Sequence, residues 1–281
     1  MTESSELSSS SSRRRTLISA GAVGIGAALL LAVPGPVGAD PDTDGLGSAG
    51  NSSSSLNLPE LLGQLLAPDT PETPSNGQTA CTRVIQIGDS TSVAADDAGV
   101  VSGADATATA QYQRVGVTDV EVDALNSRAI VGGPTPDAEQ AVRQHLAAGK
   151  RGCWVIAMGV NDVGAIKGGG LGADERIDRI MKQLDGQSVL WPTVASSNPE
   201  NEAFGAEAMK TFNDALRSAA SRYPNLAVYD WAGAAKPEMF TDGIHYTGDG
   251  AAKRNAEFAS ALVRAFPAGG GVNARENWIR S

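Results

Sequence analysis

The chain has 281 residues, 22 of them basic and 32 acidic, for a formal net charge of −10, and only 5% are aromatic. A polyanion repels a chain of the same sign, so this balance argues against nucleic acid and against anionic lipid surfaces as partners. The length allows one or two domains.

Met1–Ser12 is polar and Ser-rich, Arg13-Arg14-Arg15 follows, and an apolar Gly/Ala-rich run extends from Leu17 to Val33. Val37-Gly38-Ala39 then supplies small residues suited to cleavage. That order predicts an export signal over residues 1–39. Ser12-Arg13-Arg14-Arg15-Thr16-Leu17-Ile18 resembles a twin-arginine signal with Thr in the place usual for Phe. The apolar run approaches spanning length, so the alternative is an uncleaved anchor, the one way a membrane enters the reading. Removing 1–39 takes away three arginines and two glutamates and leaves 19 basic and 30 acidic residues, a net of −11. Residues 40–78 are rich in Ser, Pro, Asp and Gly and predict a flexible exported linker, with one short amphipathic helix over Leu58–Leu66. The compact domain is expected over 79–267. Residues 268–281, with three glycines, are expected to form a loose tail.

Within the domain, apolar runs predict strands at 82–87, 119–124, 153–158, 188–195 and 226–231. Helical patterns separate them at Pro136–Ala148, Ala173–Leu184 and Glu207–Arg222, and a last one covers Gly248–Ala265. Strands alternating with helices imply an α/β fold, a three-layer α/β/α sandwich around a five-stranded parallel sheet. A flavodoxin-like order 2-1-3-4-5 makes the first and third strands neighbours. The two cysteines, Cys81 and Cys153, each stand at the start of one of those two strands. Parallel neighbours would bring both sulfurs to one level, which in an exported protein favours a disulfide over two buried thiols.

Three stretches carry candidate chemistry. The first strand ends in Gly88-Asp89-Ser90, which puts a hydroxyl at the edge of the sheet where α/β folds bind ligands. The third strand ends in Gly159-Val160-Asn161-Asp162; Asn161 can donate an amide N–H to an oxyanion, or the pair can simply cap the next segment. After the fifth strand comes Asp242-Gly243-Ile244-His245, where a carboxylate three residues before a histidine can hold Nδ1–H and leave Nε2 as a base. The other histidine, His145, lies in a helical pattern and is expected on the surface.

Together these stretches resemble the SGNH branch of the GDSL hydrolases, in family order and each just past a predicted strand. The resemblance implies Ser90 as nucleophile, His245 as base and Asp242 as its orienting carboxylate, with the Ser90 N–H and the Asn161 side chain as oxyanion donors. The family's second block usually adds a glycine N–H. The matching region here, Asp123 to Ile130, has no glycine, which leaves the main chain of Asn126 or Ser127 for that role. Arg151-Gly152-Cys153-Trp154-Val155 and Val228-Tyr229-Asp230-Trp231 are similar to exported actinobacterial members, some of which act on acyl groups of cell-envelope sugars. The implied activity is a serine esterase for short acyl groups on carbohydrate or other small esters, with no cofactor and no metal. An O-acyltransferase would use the same residues. A catalytically silent glycan-binding module and a lysophospholipase-like enzyme are the remaining alternatives.

Overall fold

The computed structural model describes residues 77–281. The expected export signal, the helix over 58–66 and the linker up to residue 76 lie outside the described residues.

Strand β1 (Arg83–Gly88) is buried along all but its first residue. Its side chains alternate between two apolar layers, as a strand with period two must when both faces of the sheet are covered. Ile85 and Ile87 point to one core and Val84 to the other. Strand β2 (Asp119–Ala124) is only partly buried, with Val120 and Val122 on the second core and Glu121 and Asp123 on its other face. The same alternation continues across β3 (Cys153–Ala157), β4 (Ser188–Pro192) and β5 (Leu226–Tyr229). Trp154, Trp191 and Val228 join the first core, and Val155, Leu190 and Tyr229 the second.

Helices α2 (Ala138–Ala147), α4 (Ala173–Met181) and α5 (Ala206–Arg222) cover the first layer with Val142, Ile177, Ile180, Phe212 and Leu216. The second layer is closed by α1 (Ala108–Arg114), through Tyr112, and by α7 (Gly248–Ala265), through Phe258 and Leu262. Side-chain caps start several of these helices: Thr107 for α1, Asp137 for α2 and Thr247 for α7 each accept a main-chain N–H of the first turn. Two short helices, α3 (Asp162–Lys167) and α6 (Trp231–Ala234), follow β3 and β5 directly.

The sheet is parallel throughout, in the order β2-β1-β3-β4-β5-β6. The flavodoxin-like order is present, with a sixth strand added. That strand, β6 (Trp278–Ile279), falls in the segment expected to be a loose tail, and it corrects both the five-strand count and the domain's end at 267. It pairs with Val228 and Tyr229, Ile279 is fully buried, and the Arg217 guanidinium lies 3.7 Å over the Trp278 ring. Only two residues carry the pairing, too few for an alternating pattern to stand out. Strand β5 stops at Tyr229 rather than 231 because Asp230 accepts the Gly233 N–H and caps α6.

Cys81 and Cys153 form a disulfide with Cα atoms 5.7 Å apart, at the end of the sheet where β1 and β3 begin. Cys153 stands level with Val84 in the β1–β3 register. The bridge closes 72 residues of sequence, and a loop of that length restricts the unfolded chain by about 4 kcal/mol in the chain-entropy treatment. Replacing both cysteines with serine is expected to lower unfolding stability by a few kcal/mol in urea titrations. The turn at Ser90 should keep its geometry, because the bridge lies at the opposite end of β1.

Candidate active site

The sheet register sets the site. Gly88, the last residue of β1, pairs with Ala124 on β2 and with Ala157 on β3, so the turns leaving all three strands start at one level. The strand order reverses here, at the switch point where open α/β sheets leave a crevice.

Beyond Gly88, the Asp89 carboxylate caps a single turn over Ser90–Ser92, with Oδ1 accepting the Thr91 N–H (2.9 Å) and the Thr91 hydroxyl (2.7 Å). The turn folds back so tightly that a Cβ on Gly88 would lie 2.5 Å from the Ser92 Cβ. Asp89 is fully buried, and burial pushes its carboxyl above the ordinary range against the opposing pull of Thr91 and Arg254. Arg254 of α7, itself buried, donates to the Thr91 carbonyl (3.3 Å) and the Ser92 hydroxyl (3.1 Å). The Ser90 turn is thus held from below by one acid and one base. Ser90 at its head is half-buried.

The Asp242–His245 loop is pinned by a Phe240–Tyr246 bridge and by the Thr241 N–H on the His245 carbonyl (2.8 Å). Asp242 Oδ1 accepts the N–H groups of Ile244 (2.9 Å) and His245 (2.8 Å), which closes the loop on its own carboxylate. Gly243 has φ +83°, and any Cβ there would run into the Ser197 carbonyl, so the motif's glycine has both a conformational and a steric cause. The other oxygen, Asp242 Oδ2, lies 2.7 Å from His245 Nδ1, and His245 Nε2 lies 2.9 Å from Ser90 Oγ. With Nδ1–H given to the carboxylate, Nε2 is the acceptor for the serine proton.

The His245 side-chain bond, then the loop N–H groups, pull the Asp242 carboxyl down to about 2. Because this pKa is depressed, the pairing is complete above the ordinary carboxylate value of 3.8 and is lost only as pH falls toward about 2. The side chains of His245 and Asp242 are 45% and 54% exposed, so the triad stands at an open mouth.

Asn161 sits between β3 and α3, and its Nδ2 donates to the Arg128 carbonyl at 2.9 Å. One amide proton is so engaged, and the second remains for a ligand. Asn126 and Ser127 occupy the exposed corner of a turn closed by the Arg128 N–H on the Leu125 carbonyl (3.2 Å). Ser127 has φ +58°. It therefore holds the left-handed conformation that a glycine enters freely, at a cost of about 1 kcal/mol for an L-residue. The second-block region thus has no glycine and carries a left-handed residue at Ser127.

The structure brings Ser90, His245 and Asp242 into one hydrogen-bonded line and ties Asn161 to the second-block turn. It also adds residues that the sequence reading missed. Asp162 is fully buried; both its oxygens accept the Ile130 N–H (3.0 Å each), and Oδ1 accepts Arg176 (2.6 Å). Burial outweighs these partners and pushes its carboxyl up to about 6. His145, expected on the surface, is only 11% exposed, with Nε2 2.9 Å from Asp123 Oδ2. Burial raises the Asp123 carboxyl, but His145 and Arg128 outweigh it and leave it below the ordinary value. Among the described residues, no three His, Cys, Asp or Glu side chains are grouped to hold a metal ion.

Among solved structures, the chain aligns with a carbohydrate acetylesterase family member from Sinorhizobium meliloti at a TM-score of 0.51 and 18% identity, over 65% of this chain and 97% of that one. The chain has the SGNH hydrolase fold. LAE5, an α/β hydrolase enzyme from the metagenome of Lake Arreo, aligns at 0.49 and 18% identity over 66% of this chain and 98% of its own. Axe2, an acetylxylan esterase from Geobacillus stearothermophilus, aligns at 0.45 and 14% over 68% and 95%. No family profile matches the sequence, and no curated protein matches it.

Two outcomes are expected from this geometry. Asp242→Asn keeps the loop N–H contacts but no longer fixes the tautomer, and kcat should fall by up to about 10⁴-fold with KM nearly unchanged. Ser127→Gly relieves the left-handed residue and should leave kcat within about twofold, with stability changed by no more than about 1 kcal/mol. Steady-state kinetics and denaturant titration check both.

Proposed function

We propose that the protein is an exported serine esterase that removes short acyl groups from carbohydrate of the cell envelope. The observation that carries the reading is the continuous line from Asp242 through His245 to Ser90, with bonds of 2.7 and 2.9 Å. In that line His245 takes the Ser90 proton as Oγ attacks the ester carbonyl. The oxyanion is received by the Ser90 N–H, the free Asn161 proton and the Ser127 N–H. His245 then protonates the departing alcohol, and water resolves the acyl-enzyme with the roles reversed.

Export rests on the order of regions in residues 1–39. A short acyl group is supported by the carbohydrate acetylesterase that shares the fold. A carbohydrate alcohol is supported by the open, half-exposed mouth and by the carbohydrate acetylesterase that shares the fold. A sugar hydroxyl entering in place of water would turn the same acyl-enzyme into an O-acyltransferase.

The test is turnover of p-nitrophenyl acetate, butyrate and octanoate, and of acetylated sugars, by the purified chain beside Ser90→Ala. Turnover should favour acetate and fall by at least about 10⁴-fold in the variant, as when a triad nucleophile is removed. Equal rates in the two proteins would overturn the serine mechanism. Rates that climb from acetate to octanoate would overturn the short acyl group.

A further inference from the structure

We propose that Arg128 is the positioning residue of the oxyanion site, a role that rests on the esterase reading above. Its side chain is 2% exposed. Nη1 donates to the carbonyls of Gly88 (3.3 Å) and Asp123 (2.7 Å), Nη2 to the Asp123 carboxylate (2.8 Å), and Nε to the Pro136 carbonyl (3.1 Å). One planar cation therefore joins the end of β1, immediately before Asp89-Ser90, to the end of β2. Its main chain does the complementary work. The Arg128 N–H closes the turn that carries Ser127, and the Arg128 carbonyl holds the Asn161 amide.

All three oxyanion donors are therefore referred to one residue: Ser90 through Gly88, Ser127 through the turn, and Asn161 directly. A guanidinium suits this task, since its five donors are fixed in a plane and a lysine offers no such fork. Asp123 is held in turn by His145, so the clamp is braced from α2. The bracing also accounts for a left-handed Ser127 in place of glycine. The flanking residues over-determine the turn, and the backbone cost is borne there.

If Arg128 acts through Asn161, weakening the clamp should change the Asn161 amide before it changes the fold. The experiment uses the full chain with Arg128→Gln, and with Asp123→Asn, which loosens the clamp while leaving the guanidinium in place should the first variant not fold. Three quantities are read: kcat and KM on p-nitrophenyl acetate, the thermal midpoint, and the Asn161 side-chain amide signals in a ¹H–¹⁵N spectrum, assigned from their loss in Asn161→Asp.

The expected result is a fall in kcat of about 10²-fold, the scale of one lost oxyanion donor, with KM within about twofold and the amide signals displaced. In an Asn161→Ala background the same change should cost clearly less than in the wild type, because the part of its effect that runs through Asn161 is already lost. Full additivity with Asn161→Ala, or amide signals unmoved in both variants, would overturn the assignment. A wild-type chain with no ester turnover would instead defeat the esterase reading. The displaced or unmoved amide signals would then decide alone whether Arg128 positions Asn161.

Discussion

Everything in the site depends on the register of three parallel strands. A register shift by one residue would turn Ile85 and Ile87 away from their core and expose what must stay buried, so the pairing of Gly88 with Ala124 and Ala157 is enforced by the apolar layers. Once the register is set, three short turns leave the sheet at one height. Ser90, the Asn126–Ser127 turn and Asn161 need no long loops to meet. Only the Asp242–His245 loop must travel, and it arrives braced by a bridge, a glycine and its own carboxylate.

Beneath this surface lies an unusual amount of buried charge. Arg128, Arg176 and Arg254 are each almost inaccessible, and Asp89 and Asp162 are wholly so. Burying such groups is expensive unless their donors and acceptors are met, and a pair of this kind adds little net stability compared with apolar residues of the same volume. What it adds here is definition. Each of the three arginines reaches main-chain carbonyls at strand ends or in the connections that follow: Arg128 those of Gly88, Asp123 and Pro136, Arg176 those of Leu171 and Val131, and Arg254 that of Thr91. The polar core thus serves the turns, while the helices and strands rely on the two apolar clusters.

The parts of the molecule legible in the sequence are those with a strong local signal. The strand cores, with their continuous apolar runs, and the three motifs at strand ends could be placed because short-range rules govern them. β6 could not, since its two residues follow three glycines and their burial comes wholly from β5, the Arg217 side chain and the end of α7. Ser127 was ambiguous for a different reason: a missing glycine suggests a missing conformation, but surrounding contacts can impose a positive φ on another residue. His145 was misplaced because helical periodicity describes a helix face and not the β2 carboxylate that the ring meets. The roles of Arg128, Arg176 and Arg254 were also hidden, as each reaches at least one partner far away in sequence: Gly88 for Arg128, Val131 for Arg176 and Thr91 for Arg254.

The entry of the chain into the domain has a further consequence. Thr79 bridges to Pro267, the Ala80 N–H meets the Phe266 carbonyl, and the Ala268 N–H meets the Gln78 carbonyl, so residues 78–80 are anchored where α7 ends and β1 has yet to begin. β1 then runs its six residues, roughly 20 Å, before reaching the catalytic edge. A tether acting through Gln78–Ala80 would pull on the base of the sheet, the end of β1 opposite Ser90. Force on that tether would be met first by the disulfide and the Thr79 bridge, and the Ser90 turn would carry none of it.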